Sequence, residues 1–255
     1  MTTDAVRTVA DVVPATRVGS PRDAAATGRP LGFFAAAWLI ARKDLTIEFR
    51  TRSAFFAALV FALLSVAIFR FTWDPTAVAA IDLAPGVLWV IFTFSGLLGL
   101  HRSFGVEQAD RAIDGLLAAP IDREALFVGK ATANLVFVAC IQAITIPAVA
   151  LFYDLPMLDA LPGILLAAAL AALGLVAVGT LFASMTVNTR LAELLLPMLA
   201  LPFFVPVVIP AAQATARLLA GRPLSEVADW LKLLAGFDIV FLTACTLAFP
   251  HTLEE

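Results

Sequence analysis

The stretch HRSFGVEQADRAIDGLLAAPIDREALFVGK, His101 to Lys130, is the one long charged interruption between otherwise very apolar segments. Read as a helix, it places Glu107, Asp110, Arg111 and Asp114 at i, i+3, i+4 and i+7. Val106, Ala109, Ile113, Leu116 and Leu117 fall on the other side, so the spacing predicts an amphipathic surface helix. Glu107 precedes Arg111 by four residues, the favourable order for an intrahelical pair, and Gly115 followed by Pro120 supplies the termination.

What flanks this stretch fixes the class of protein. Hydrophobic residues make up 61% of the 255-residue chain and charged residues 15%. Mean hydropathy is +0.95, and soluble domains are only about half apolar. The length accommodates about six spans of roughly 20 residues with short connections, and leaves no sizeable soluble domain. The net charge of −3 says nothing about partners, because in a membrane protein the placement of charge carries the information. Cys140 and Cys245 lie singly in apolar runs without a CxxC or CxxCH neighbour. That pattern gives no signature of a disulfide framework, a zinc site or covalent haem, and both read as packing residues.

The remainder follows in chain order. Residues 1–30 mix Asp, Thr, Ala, Pro and Arg without an apolar run and read as a disordered tail rather than a signal or transit peptide. From Leu31 to Arg52 the periodicity is helical, with Leu31, Phe34, Trp38, Ala41, Leu45 and Phe49 on one side and Lys43 and Arg50 opposite. This predicts an interfacial amphipathic helix with Trp38 at the headgroup level, and 31–255 as one transmembrane domain. The spans are expected at about 53–71, 83–100, 129–151, 162–185, 191–210 and 231–250. The fold class is therefore all-α integral membrane: six transmembrane helices, an N-terminal interfacial helix and a charged helix between spans two and three.

Charge placement orients the bundle. Of 17 Lys and Arg, 13 fall before the first span, in the second connection or in the fourth, which predicts both termini in the cytoplasm. The connections holding Asp74 and Asp82, and Asp154 and Asp159, contain no cation and are expected outside; Arg217 and Arg222 break the rule in an expected last loop, Ala211 to Trp230. Pro197, Pro202, Pro206 and Pro210 recur through the fifth span, which should bend or break and lie packed inside protein or along a cavity. Pro202 and Pro206 are thus candidates for a cavity or gate. Asp238, an ionisable group inside the sixth span and near its end, is a third candidate.

No catalytic constellation is evident. Gly129-Lys130 is a fragment of a phosphate-binding loop, but Glu124 stands where the first glycine belongs and a span follows it. ATP chemistry would have to come from a partner. His101 and His251, the only histidines, are both expected at the cytoplasmic surface, so this chain offers no outward-facing bis-histidine haem site. No metal ligands and no bound cofactor are assigned.

The wording Asp110-Arg111-Ala112-Ile113-Asp114-Gly115-Leu116-Leu117-Ala118-Ala119-Pro120 resembles the coupling stretch of ABC-2-type export permeases. Further marks are Arg42-Lys43-Asp44-Leu45, Ala84-Pro85-Gly86-Val87-Leu88-Trp89-Val90, His101-Arg102-Ser103-Phe104, Gly129-Lys130, and Leu201-Pro202 with Val205-Pro206-Val207-Val208-Ile209. Together, over about residues 38–250, they resemble the haem exporter permease family of cytochrome c maturation, the CcmB type. Arg111, His101 and Asn134 depart from that pattern, and with Asn134 where many members carry His no haem ligand is assigned in the third span.

The resemblance implies a permease subunit without its own ATPase domain. Its implied partners are an ATP-binding subunit of the CcmA type, haem-handling membrane subunits of the CcmC and CcmD types, a haem chaperone of the CcmE type and the lipid bilayer; nucleic acid is not expected. Glu107, Asp110, Arg111, Asp114, Leu116, Leu117 and Pro120 would then form the interface with the ATPase. Two other readings stay open: an ABC-2 exporter of lipid, glycan or drug, and a proton-coupled secondary transporter using Asp238 and Gln142. The second normally shows an internal repeat of spans, and none is evident.

Overall fold

The computed structural model describes residues 32–109, 122–186, 189 and 191–252. Seven helices account for nearly all of them: α1 Phe33–Thr51, α2 Ser53–Thr72, α3 Ala80–Ala109, α4 Arg123–Tyr153, α5 Leu161–Thr186, α6 Ala192–Leu219 and α7 Leu224–Thr252. Helices α2 to α7 each contain a segment long and apolar enough to cross a membrane, making this a multi-pass membrane protein. The expected tail 1–30 lies outside the described residues, as do Asp110, Arg111, Asp114, Leu116, Leu117 and Pro120.

The spans alternate in direction. At one end, Arg123 Nη1 at the start of α4 donates to the Pro250 carbonyl of α7 (3.1 Å), and Ser184 of α5 lies 3.1 Å from Thr252 of α7. At the other end Arg70 Nε of α2 donates to the Phe152 carbonyl of α4 (2.7 Å). Helix α1 packs on the first turns of α4, so residues 32 and 252 finish at the same end of the bundle.

Between apolar helices in lipid there is little hydrophobic gain from association, so close van der Waals approach and hydrogen bonds carry the packing. Helix α5 supplies the small residues for it: Ala167, Ala168, Ala171, Ala172, Gly174 and Gly179 are all buried. A Cβ on Gly179 would stand 2.3 Å from a Leu100 methyl of α3, which explains how that leucine reaches α5. Buried polar side chains are tied across helices: Trp89 Nε1 of α3 donates to Thr215 of α6 (3.0 Å) and Asn134 of α4 donates to Thr180 of α5 (3.1 Å).

Several boundaries differ from those expected. The second span ends at His101, as expected, with helix α3 continuing to Ala109, whereas α4 starts at Arg123, ahead of Gly129. The expected loop Ala211 to Trp230 shrinks to residues 220–223, turned by Gly221 at φ 73°. Arg217 lies within α6, donates to Gln213 Oε1 and sets its guanidinium 4.9 Å from the Trp230 ring.

Helix α6 holds Pro197, Pro202, Pro206 and Pro210 within one unbroken helix. Each proline forfeits only its own N–H and frees one carbonyl a turn earlier, and the remaining ladder suffices. Nor is the helix enclosed within this chain. Leu196, Ala200, Phe204, Val207, Ala211 and Ala214 face inward, whereas Pro202 and Pro206 share the exposed face with Val205 and Ile209.

Helix α1 packs on the bundle through its small residues and leaves much of its expected apolar side exposed. Ala36, Ala37, Ile40 and Ala41 form the buried face, while Phe34, Trp38 and Phe49 are exposed. Small residues lie inward because α4 comes so near: a Cβ on Gly129 would meet the Ala37 carbonyl oxygen at 2.7 Å.

Candidate functional site

The expected coupling residues are described only in part. Glu107 sits in the last turn of α3, while its partners in the stripe lie outside the described residues. What the structure does define is the platform from which that segment departs and to which it returns. Glu124 in the first turn of α4 suits the positive end of the helix dipole. Two turns of α4 are braced against α7, through Arg123 on the Pro250 carbonyl and through Phe127 and Phe249, whose ring centroids are 5.2 Å apart.

The brace continues into α1 through a buried ion pair. Lys130 has a side-chain exposure of 1%, and its Nζ lies 3.3 Å from Asp44 Oδ2; the other oxygen of Asp44 lies 3.0 Å from Lys43 Nζ. Asp44, at the edge, thus joins one ammonium inside the bundle to one near its surface. Removing one member of a buried pair leaves an uncompensated charge at a cost of about 3–5 kcal/mol, so α1 and α4 are held in one register. No local pattern marks this pair, since Lys130 reads in the sequence as one more cation of a surface connection. The only hint was Gly129 beside it, a residue that allows another backbone to approach.

Asp238 is a buried carboxylate of the opposite kind. Helix α7 begins at Leu224, which places Asp238 near the middle of its span and not near the end. Its side chain is buried against α5, where a Cβ on Gly174 would stand 2.8 Å from Oδ1. Neither oxygen has a hydrogen-bond partner among the described residues, and α5 carries no charged residue at all. Beside it Phe237, whose ring also borders Gly174, stacks on Phe241 at 4.1 Å, and Phe241 meets Phe203 of α6 at 6.0 Å.

The three gate candidates are not brought together. Pro202 and Pro206 point outward from α6, and Asp238 points inward from α7 to the Gly174 notch. Gln142 donates to the Ala168 carbonyl (3.3 Å) and serves α4–α5 packing. Among the described residues no cluster of His, Cys, Asp and Glu is arranged to hold a metal ion.

Comparison with known proteins bears on residues 35–255, which match the family described as CcmB protein. The chain is 34% identical over 206 residues to Heme exporter protein B of Paracoccus denitrificans, covering 81% of this chain and 89% of that protein. It is 32% identical to Heme exporter protein B of Rhodobacter capsulatus over 81% of the chain and 90% of that protein. The Pseudomonas aeruginosa protein of the same name is 28% identical over 79% and 90%.

Proposed function

The chain belongs to the CcmB protein family, and from that premise we propose that it is the permease subunit of an ATP-driven ABC complex in cytochrome c maturation. The observation that carries this is the likeness to Heme exporter protein B, which extends over 206 residues and nearly the full length of that protein. In this reading a separate ATPase of the CcmA type binds at the segment between α3 and α4. CcmC- and CcmD-type subunits complete the membrane part, and the cycle exports haem or releases a haem-loaded chaperone of the CcmE type. The protein resides in the bacterial inner membrane with both termini in the cytoplasm, which puts the α3–α4 connection on the ATPase side.

The geometry supports a way for force to enter. A soluble motor shifts a membrane protein only by contacting its two states differently. A push on the α3–α4 connection would reach α1, α4 and α7 together, because Arg123 ties α4 to α7 and Lys130 with Asp44 ties it to α1. Copurification from cells expressing the full set of subunits, with mass identification of the retained proteins and a haem absorption spectrum, tests the proposal. Retention of an ATP-binding subunit together with haem-handling subunits is expected. A chain that purifies alone and moves a substrate down a proton gradient without ATP would replace this reading with a secondary transporter.

A further inference from the structure

A cavity of about 360 Å³ lies between the C-terminal half of α1, the first turn of α2 and the middle of α4. Pockets of this size, mainly apolar with a few placed polar groups, are the usual form of a small-ligand site. Leu45, Phe49, Phe55, Phe56, Val136 and Phe137 supply apolar walls. Phe55 meets Phe137 edge-on at 6.2 Å, and Phe137 rests on Gly99, where an added Cβ would come within 2.3 Å of the ring. The missing side chain of Gly99 therefore sets where the inner wall stands.

The mouth is apolar as well. Phe49 is 63% exposed and Phe56 52%, and the opening runs onto the exposed strip of α2 that includes Val60 and Leu64. Since α2 is long and apolar enough to cross a membrane, this strip suits hydrocarbon, and it adjoins the exposed Phe49 and Phe56 of the cavity lining. Polar lining comes from Asp44, Glu48 and Arg52 toward the corner where α1 turns into α2, and from Asn134 of α4, whose amide already donates to Thr180. Asp44 is already engaged by Lys43 and Lys130. Glu48 uses Oε1 to accept the Phe55 backbone N–H at 2.9 Å, and Arg52 uses Nε on the Phe49 carbonyl at 3.0 Å. Glu48 thus keeps Oε2, and Arg52 its terminal nitrogens, where α1 ends beside an apolar slot.

We infer that this cavity binds one acyl chain of a zwitterionic, amine-bearing phospholipid, its phosphate at Arg52 and its ammonium at Glu48. The paired charges select the headgroup: an anionic lipid satisfies Arg52 but sets a second negative charge near Glu48, and a neutral lipid satisfies neither. The lipid is a wedge between the interfacial helix and the first span, and its binding does not depend on what the complex transports.

Native mass spectrometry of the full-length chain, released from mixed vesicles of phosphatidylethanolamine and phosphatidylglycerol in mild detergent, tests this. About one phosphatidylethanolamine per chain is expected. Val136→Trp fills the slot from a half-buried position and should lower occupancy at least about tenfold. Arg52→Gly removes the guanidinium while keeping the turn, because Arg52 stands at φ 55° where glycine is at ease, and should also deplete the lipid. A parent chain without retained phospholipid, equal retention of phosphatidylglycerol, or full occupancy in Val136→Trp would overturn the inference. Should Val136→Trp fail to elute as a single species, alkylation in the Cys245→Ser background decides, since Cys140 lines the cavity. Maleimide should modify Cys140 faster after lipid is stripped and slow again when phosphatidylethanolamine is returned; an unchanged rate would contradict the assignment.

Discussion

Two buried charges divide the molecule. In the α1–α4 half, Lys130 is taken out of solvent alongside Asp44, which in turn reaches Lys43 near the surface. In the α5–α7 half, Asp238 is buried against Gly174 with no hydrogen-bond partner among the described residues. A paired buried charge fixes the relative position of the helices that bear it, whereas an unpartnered carboxyl fixes nothing by itself and is tolerated at a packing notch. The first arrangement suits a platform that must transmit a push. The second marks an interface whose polar group is free to gain a partner when the helices move.

The largest expected effect comes from breaking the paired side. Asp44→Asn removes the carboxylate beside a buried ammonium and should lower stability in detergent by about 3 kcal/mol. Lys130→Met should cost less, because it removes the buried charge and leaves Asp44 beside Lys43. Thermal unfolding of both variants checks the order; equal losses, or a greater loss for Lys130→Met, would show that the pair does not hold α1 to α4.

Next come the two glycines that admit these groups. Gly129→Ala drives its new methyl into the Ala37 carbonyl and the Ile40 Cβ, so α1 must shift, at about 1–3 kcal/mol. Gly174→Ala meets mainly the Asp238 carboxylate and the Phe237 ring, side-chain atoms that can rotate aside, and should cost under about 1.5 kcal/mol. If Gly174→Ala proved the worse of the two, the α5–α7 interface would be the rigid one.

Asp238→Asn is expected to be milder still. The amide keeps the shape and removes the charge, so folding and ATP turnover by the assembled complex should stay within about twofold of the parent. Transport abolished without ATP dependence would instead identify a titrating group. The smallest effect belongs to the Asp74 turn. The Thr76 hydroxyl, and then its backbone N–H, hold the exposed Asp74 carboxyl below the usual carboxylate range. A lowered folded pKa stabilises above the ordinary carboxylate pKa and loses that contribution as pH falls through the lowered value. Thr76→Val should raise the Asp74 pKa, measured by carbon-detected NMR titration, and leave behaviour at neutral pH unchanged.

The contrast between the halves also shows what was legible in the sequence. Long apolar runs announced six spans, and the Leu31–Arg52 periodicity announced a helix, because hydrophobicity and period are local properties. Which residues of α1 pack on α4 was not legible, because the aromatics spoke only for an interfacial side: Gly129 draws the backbones together over Ala36, Ala37 and Ile40. The Lys130–Asp44 pair joins residues 86 positions apart, a separation that no pattern reports. Asp238 was visible as a charge in a span, yet its central depth depended on α7 starting at Leu224. The prolines of α6 suggested a bend or a break; the break does not occur, because the residues between the prolines keep their own N–H groups for the ladder.

In the function proposed above, the segment between α3 and α4 receives an ATPase. Its charged stripe should steer association and its apolar residues should anchor it. The most direct measurement is pull-down of the ATP-binding partner by four full-length variants, Asp110→Lys, Asp114→Lys, Leu116→Asp and Leu117→Asp, each shown to elute as one species in detergent. Weakened, salt-sensitive capture is expected for the two charge reversals and loss of capture for the two leucine variants. Undiminished capture in all four would contradict it.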